Sequence, residues 1–476
     1  MMLLDGDQAA PASTADRPSC PSSSTGTCVP WDARIVETDS AVVVLAAERA
    51  YKLKTSVPPG PTGATTPHDR LAAYRTELRL NRRFSPDVYL GVLDITDGAG
   101  VRKDHLLVMR RLPADRRLTE LARRDADPAV DVGAALDQVA ERLASVHLAS
   151  PVVPPRDATA MTRDLRLRWA EDVGALRQVE TSVGHRLVDA CESLATGYLG
   201  TCADLFAWRV AEGHVRDGHG DLRSDHVFCL DDGPRIIGCL DADPERRVAD
   251  VVADVASLVL DLEHLGRPDL AGRFSEHYRA VSGLTWPPSL EHHHVALRAA
   301  DLARVAAVRA GRADGDRRDG QLRLVRAYAV LAARHLHLGQ PKLILVGGAA
   351  ATGRSTVAGG LRDLGVGRLL EAPSDPAGGL DGVLATAEKW LGTGESVVLD
   401  AAWHRAADRL AARRSAARLG AGMVEMCCHA RPDTLALRGG GDDGGAEAWP
   451  EAVVLDTDST DRRVLDAAIE VIGRPA

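Results

Sequence analysis

Gly218-His219-Gly220-Asp221-Leu222-Arg223-Ser224-Asp225-His226 is the stretch on which the reading of this chain turns. It sets one carboxylate, Asp221, in a glycine-flanked turn and runs straight into the apolar segment Val227–Leu230. Arg235–Leu240 follows across the turn sequence Asp231-Asp232-Gly233, so the two segments read as a β-hairpin carried among helices. A second carboxylate, Asp241, ends the expected strand Ile236–Leu240. Far upstream, Lys52 and Lys54 fall on one face of the expected strand Ala50–Lys54, because side chains alternate along a strand. Glu77, on the helical segment that follows, is placed to pair with either.

Working outward, Ala41–Leu45 and Ala50–Lys54 are short β-type runs separated by Glu48-Arg49, as in a hairpin. The Pro/Gly/Thr-rich loop Val57–Pro67 leads to Asp69–Phe84, where Leu71, Tyr74, Leu78 and Leu80 recur at roughly helical spacing. Strand Leu106–Met109 precedes a hinge at Arg110-Arg111-Leu112-Pro113. From Asp131 to about Leu338 the pattern is mostly helical, as in Leu136, Val139, Leu143 and Val146, with a further helix over Val251–Glu263. The run His292-His293-His294 has no acidic or cysteine partners at ligand spacing and reads as ordinary helix. Past Gly339 the pattern becomes alternating βα: strand Leu343–Val346, a helix from Arg354, strand Val397–Leu399, helix Ala406–Leu419, and strands Met423–Cys427 and Val453–Leu455. That alternation predicts a parallel sheet. Residues 1–30, dominated by Pro, Ser, Thr and Ala, read as a disordered leader.

A chain of 476 residues holds two to four domains. A net charge of −9 and a pI near 6.0 offer no electrostatic attraction to nucleic acid or anionic lipid, which makes basic partners or small molecules the expected ones. No apolar run reaches the ~20 residues that span a bilayer, and a cytoplasmic location is expected. The eight cysteines are scattered with no Cys-x-x-Cys pair. Cys229, Cys239, Cys427 and Cys428 sit in apolar runs and are expected as small buried thiols, while Cys20 and Cys28 fall in the leader.

Four ordered blocks carry a resemblance: Ala50-Tyr51-Lys52-Leu53-Lys54, Glu77-Leu78-Arg79-Leu80-Asn81-Arg82-Arg83, Pro86-Asp87-Val88-Tyr89-Leu90-Gly91 and His219-Gly220-Asp221-Leu222. Together they resemble the bacterial aminoglycoside phosphotransferase-like, protein-kinase-like family, in the branch fused to a P-loop kinase-like domain. The resemblance implies an α+β bilobal domain over 31–338, with an N-lobe over about 31–113 and a C-lobe over about 114–338. It implies that Asp221 is catalytic, that Asp241 and His226 hold a divalent metal, Mg²⁺ or Mn²⁺, and that Lys52 with Glu77 secures ATP, Lys54 being the alternative lysine. The chain departs from the family's His-Gly-Asp-Leu-His-x-x-Asn at Arg223 and at His226. Imidazole nitrogen suits Mn²⁺, Co²⁺ or Zn²⁺ better than Mg²⁺. The family's Asp-Cys-Ile-Glu-Phe is here Gly238-Cys239-Leu240-Asp241-Ala242, so an acidic position has become glycine.

Gly348-Ala349-Ala350-Ala351-Thr352-Gly353-Arg354-Ser355-Thr356 matches P-loop spacing except that Arg354 replaces lysine. It lies between an expected strand and helix, where backbone N–H groups can cradle an anion. Ser355 is expected as the hydroxyl for a metal, with Thr356 beside it and Asp400 as the carboxylate at the end of the next strand. Through Val398-Leu399-Asp400-Ala401-Ala402-Trp403 and Leu455-Asp456-Thr457, residues 341–476 resemble gluconate-kinase-like P-loop kinases. The family's acceptor segment is replaced by Glu371–Gly379, and its arginine-bearing lid is only the short Arg438–Gly445 loop. The expected function is ATP-dependent phosphate transfer to a hydroxyl of a sugar, amino sugar or aminoglycoside-like molecule. The alternative is a catalytically impaired tandem pseudokinase that senses nucleotide or binds a partner.

Overall fold

The computed structural model describes residues 33–37, 41–55, 66–123, 130–152, 158–372, 380–439 and 447–473. The expected leader with Cys20 and Cys28, and most of the segments Glu371–Gly379 and Arg438–Gly445, lie outside the described residues. The chain packs as two compact units. The first takes the residues up to Pro151 with Asp217–Ala249 and Asp261–Gly283; the second takes Val152–Arg216, Asp250–Leu260 and the chain from Leu284 onward.

The first unit is built on a five-stranded sheet of β1 (Arg34–Glu37), β2 (Ala41–Ala46), β3 (Arg49–Lys54), β4 (Tyr89–Thr96) and β5 (Arg102–Arg110), in the order β1-β2-β3-β5-β4. Every neighbouring pair is antiparallel. The β2–β3 hairpin and β5 match the sequence pattern, but β1 and β4 were not anticipated. Alternation in β4 is broken by Gly91, and the β4–β5 register shifts between Tyr89 and Gly91. Helix α1 (Pro67–Asn81) starts on a capping box, in which Thr66 Oγ1 accepts from Asp69 N–H and the Asp69 carboxylate accepts from Thr66 N–H. Its inner face carries Tyr74 into an apolar cluster with Val88, Tyr89 and Leu107, which fixes Glu77 one turn on, against the sheet.

The hairpin of Val227–Leu230 with Gly233–Ile236 is antiparallel, as expected. The extension to Leu240 is not: regular pairing stops at Ile236. Gly238 at φ +78° turns the chain into a left-handed conformation, and the next N–H groups leave the ladder for other acceptors. Gly238 N–H donates to Tyr89 Oη, Cys239 N–H to Asn81 Oδ1, and Leu240 N–H to the His219 carbonyl. Asp241 therefore stands on an irregular segment, not at the end of a strand.

In the second unit the expected parallel sheet is present, ordered Arg368–Glu371, Val397–Asp400, Lys342–Gly347, Gly422–His429, Val453–Asp456, with every recorded pair parallel. Leu343, Ile344, Leu345 and Val346 are fully buried, as a central strand covered by helices on both faces requires. Strand Arg368–Glu371 and helix Asp381–Gly392 were not read from the sequence. The helical part of this unit buries Arg209 against Asp250 in a bidentate pair, both bonds 2.7 Å. Among the described residues no helix is long and apolar enough to cross a membrane. The described cysteines are free thiols, and Cys229, Cys239 and Cys428 are buried as expected, with Cys427 half-buried.

His293 and His294, on helix Pro288–Ala310, are buried as core residues, His293 stacked on Tyr198 with ring centroids 4.6 Å apart. Burial lowers the His293 pKa well below the ordinary value and takes His294 down to about 4; His214 is lowered to about 4 by burial and by Arg209. These groups take up protons more readily unfolded than folded, so their stabilisation is complete above about pH 6.5 and is lost as pH falls towards 4. Asp172, raised to about 7 by burial and by Asp301, works in the opposite sense and offsets one such group, while His226, lowered to about 3 by burial and by Arg223, and His264, lowered by burial, act in the same sense as these three. The melting temperature should fall by about 5 °C between pH 7.5 and pH 5. A flat profile over that range, followed by circular dichroism, would contradict it.

Candidate active site

β3 and α1 bring the first group together. Lys52 Nζ lies 2.7 Å from Glu77 Oε1, Lys54 Nζ lies 3.1 Å from Glu77 Oε2, and Lys54 Nζ also reaches Asp241 Oδ2 at 2.5 Å. The alternation of β3 puts both ammonium groups on the face towards α1, where Glu77 is only 4% exposed at its side chain. Burial opposes the Glu77 charge, but the two lysines outweigh it and hold the carboxyl below its usual range. Burial likewise opposes the charge on Lys54, and Glu77 and Asp241 overcome it, raising the lysine pKa. Of the two lysines, Lys54 is the one that joins Glu77 to Asp241. Tyr74 Oη anchors the β3 end by accepting the Lys54 N–H at 2.5 Å.

The loop bearing Asp221 is clamped from several elements. Gly220 is at φ +79°, and a Cβ there would come within 3.1 Å of Leu240 Cβ and Arg247 Cα, so glycine is required twice over. Arg83 donates to the carbonyls of Asp217 and Gly218, each at 2.8 Å, and Arg247 Nε bonds Asp217 Oδ1 at 2.6 Å. Ser85 exchanges hydrogen bonds with the backbone of Ile236. A 3-10 turn, Ser224–His226, follows Asp221. Asp261 accepts from Ser224 N–H at 2.7 Å, and Thr119 bonds both Ser224 Oγ and Asp225 Oδ1. Asn81 and Arg83 lie within a block that marked the family resemblance, whereas Ser85, Thr119 and Asp261 had no sequence signal, since their roles depend on long-range contacts.

His226, expected as a metal ligand, has both ring nitrogens taken by protein partners. Nδ1 lies 2.7 Å from the Asp221 carbonyl, which can only accept, so Nδ1 carries the proton. Nε2 is then the acceptor for Arg223 Nη2–H at 3.2 Å. Burial, and then Arg223, push the imidazole pKa down to about 3, keeping the ring neutral. A Cβ on Gly238 would lie 3.0 Å from His226 Cδ2 and Nε2. The ring thus occupies the space beside residue 238. The two departures, histidine at 226 and glycine at 238, are one packing arrangement. Asp241 retains a carboxylate suited to a hard divalent ion, while His226 does not offer a lone pair to one. Among the described residues no cluster of three His, Cys, Asp or Glu side chains is arranged as a metal site.

In the second unit, Gly348 and Gly353 adopt φ +132° and +83°, and Gly353 caps helix Arg354–Asp363. Ser355 and Thr356 are exposed on the first turn. Arg354 turns inward: its Nε lies 2.5 Å from Asp400 Oδ1, and Nη1 donates to the Gly348 carbonyl at 3.1 Å. Arg354 and Asp400 are therefore brought together as an ion pair at the base of the loop.

The His226–Gly238 fit makes a coupled prediction. Gly238→Asp should destabilise the chain by about 2–3 kcal/mol through overlap and a left-handed backbone. In a His226→Asn background the same change should cost at least about 1 kcal/mol less. Additive effects in a urea-denaturation double-mutant cycle would show that the two positions are independent.

A family model described as "Phosphotransferase enzyme family" matches residues 46–293, just over half the chain. An uncharacterized protein of Mycobacterium tuberculosis is 32% identical over 444 residues, covering 86% of this chain and 87% of that protein. Among solved structures, a choline/ethanolamine kinase family protein from Mesorhizobium loti is 12% identical at a TM-score of 0.38, covering 66% of this chain and 95% of that one. A choline kinase from Cryptosporidium parvum is 9% identical at a TM-score of 0.40, covering 65% and 90%. With strands β3 to β5, the buried Lys–Glu pair and the His-Gly-Asp loop falling inside the matched residues, the chain belongs to the phosphotransferase enzyme family.

Proposed function

We propose that the first unit transfers phosphate from ATP to a hydroxyl of a small molecule, a sugar, amino sugar or aminoglycoside-like acceptor. The observation that carries this reading is Lys54, whose ammonium is held between buried Glu77 and Asp241. Phosphoryl transfer needs little covalent help from a protein; it needs charges placed where the phosphates and the attacking oxygen will be. In this reading Lys54 meets phosphate oxygens, Glu77 holds it extended, and Lys52 keeps Glu77 charged. Asp241 is the residue that would hold a divalent ion, which would supply positive charge against the phosphates. Asp221 orients the acceptor hydroxyl and takes its proton as the oxygen bonds the terminal phosphorus and the bond to the ADP oxygen breaks. A cytoplasmic location fits a reaction that consumes ATP.

A second reading applies to the C-terminal unit and is favoured by one contact, Arg354 with Asp400. Residues 341–476 are read as a P-loop, gluconate-kinase-like domain that binds nucleotide through Gly348, Gly353, Arg354, Ser355 and Thr356 without turning it over. The carboxylate that a metal-assisted site would use is engaged by the loop's own guanidinium.

Incubation with ATP and Mg²⁺ or Mn²⁺ against a panel of sugars and amino sugars tests the first reading. Asp221→Asn should lose about 10²–10⁴-fold in phosphate transfer or ATP hydrolysis relative to wild type. Equal rates for the two proteins would overturn it.

A further inference from the structure

Asp221 and the turn after it form a closed ring of contacts that the family pattern does not contain. The Asp221 carbonyl accepts from His226 Nδ1 at 2.7 Å and His226 Nε2 accepts from Arg223 at 3.2 Å, while the Arg223 guanidinium closes the ring as an ion pair, its Nε 3.3 Å from Asp221 Oδ1. We propose that Arg223, oriented by His226, is a positioning residue that sets the Asp221 carboxylate for the reaction. This inference rests on the reading of Asp221 given above.

Three observations support it. First, the guanidinium and the imidazole are nearly enclosed, with side chains 9% and 7% exposed, so their geometry is fixed by packing and not by solvent. Second, the backbone that carries them is held independently, by Asp261 on Ser224 and by Thr119 on Ser224 and Asp225. Third, Gly238 leaves the volume in which the His226 ring sits, and a larger residue there would push the ring off Arg223. A planar guanidinium can meet the His226 lone pair and the Asp221 carboxylate at once, through different nitrogens; a lysine ammonium is a single point and does not match that fork. The effect is to tie the backbone and the side chain of Asp221 to one rigid frame. In this chain position 226 organises the loop from inside, where an asparagine would have faced a metal.

The test measures ATP turnover of the full chain with Mg²⁺ or Mn²⁺, with melting curves for every variant. Arg223→Ala should lower kcat by about 10–10²-fold, the scale of a misplaced reacting group, with KM for ATP changed less than about threefold. Arg223→Lys should stay low despite keeping the charge. Guanidinium at millimolar concentration, far below denaturing levels, should restore part of the Arg223→Ala rate and none of the Asp221→Asn rate. Unchanged kcat in Arg223→Ala overturns the proposal, as does a loss that guanidinium does not relieve or that only follows a lower melting temperature. If wild type and Asp221→Asn turn over ATP equally, the underlying reading fails and the proposal falls with it. If Asp221→Asn is inactive while Arg223→Ala is not, the proposal alone fails.

Discussion

A buried carboxylate with two lysines is the constraint on which the first unit depends. Glu77 sits on the inner face of α1, and its charge is sustained there by Lys52 and Lys54 from β3. Removing the partners of a buried charge typically costs about 3–5 kcal/mol, so the sheet, the helix and the two lysines must keep one registration. That registration is what delivers Lys54 to Asp241. The capping box at Thr66 and the Tyr74 cluster serve the same end, because a shift of α1 by one residue would carry Glu77 off the lysine face.

The loop bearing Asp221 is organised by a different means, a set of hydrogen bonds drawn from distant segments. Asn81, the last residue of α1, holds the N–H of Cys239, and Arg83, two residues beyond it, holds the carbonyls before Asp221, so the end of one helix and the turn after it brace both carboxylate-bearing segments. The changes at positions 226 and 238 belong together for the same reason. Once an imidazole fills that space and bonds the Asp221 carbonyl, only glycine fits opposite it. In the C-terminal unit the exchange of lysine for Arg354 is likewise matched by a partner, Asp400.

Much of this was legible in the sequence. The two lysines and Glu77 could be grouped because strand alternation and helical spacing are local, whereas Asp221 and Asp241 were named from their motifs and the family resemblance; the parallel sheet of the last third followed from its βα alternation. Strand β4 was hidden by its bulge, and the strand expected up to Leu240 ended early because Gly238 took a left-handed conformation whose N–H partners are tens or hundreds of residues away. His226 shows the limit most plainly. Its residue type and position suggested a ligand, but which atoms surround its two nitrogens depends on Arg223 and on a carbonyl brought round by a 3-10 turn. Asp261 and Thr119 carried no signal, since an aspartate on a helix and a threonine on another become loop anchors only when folding brings them to Ser224.

In the proposed reaction Lys54, not Lys52, is the phosphate-facing member of the buried cluster. Calorimetric titration of ATP with Mg²⁺ into Lys52→Met and Lys54→Met tests it most directly, with Arg354→Ala present in both so that the C-terminal loop does not contribute. Lys54→Met should lose at least about tenfold in affinity, equivalent to about 1.4 kcal/mol, and Lys52→Met less than about threefold. Equal losses, or a larger loss for Lys52→Met, would contradict it.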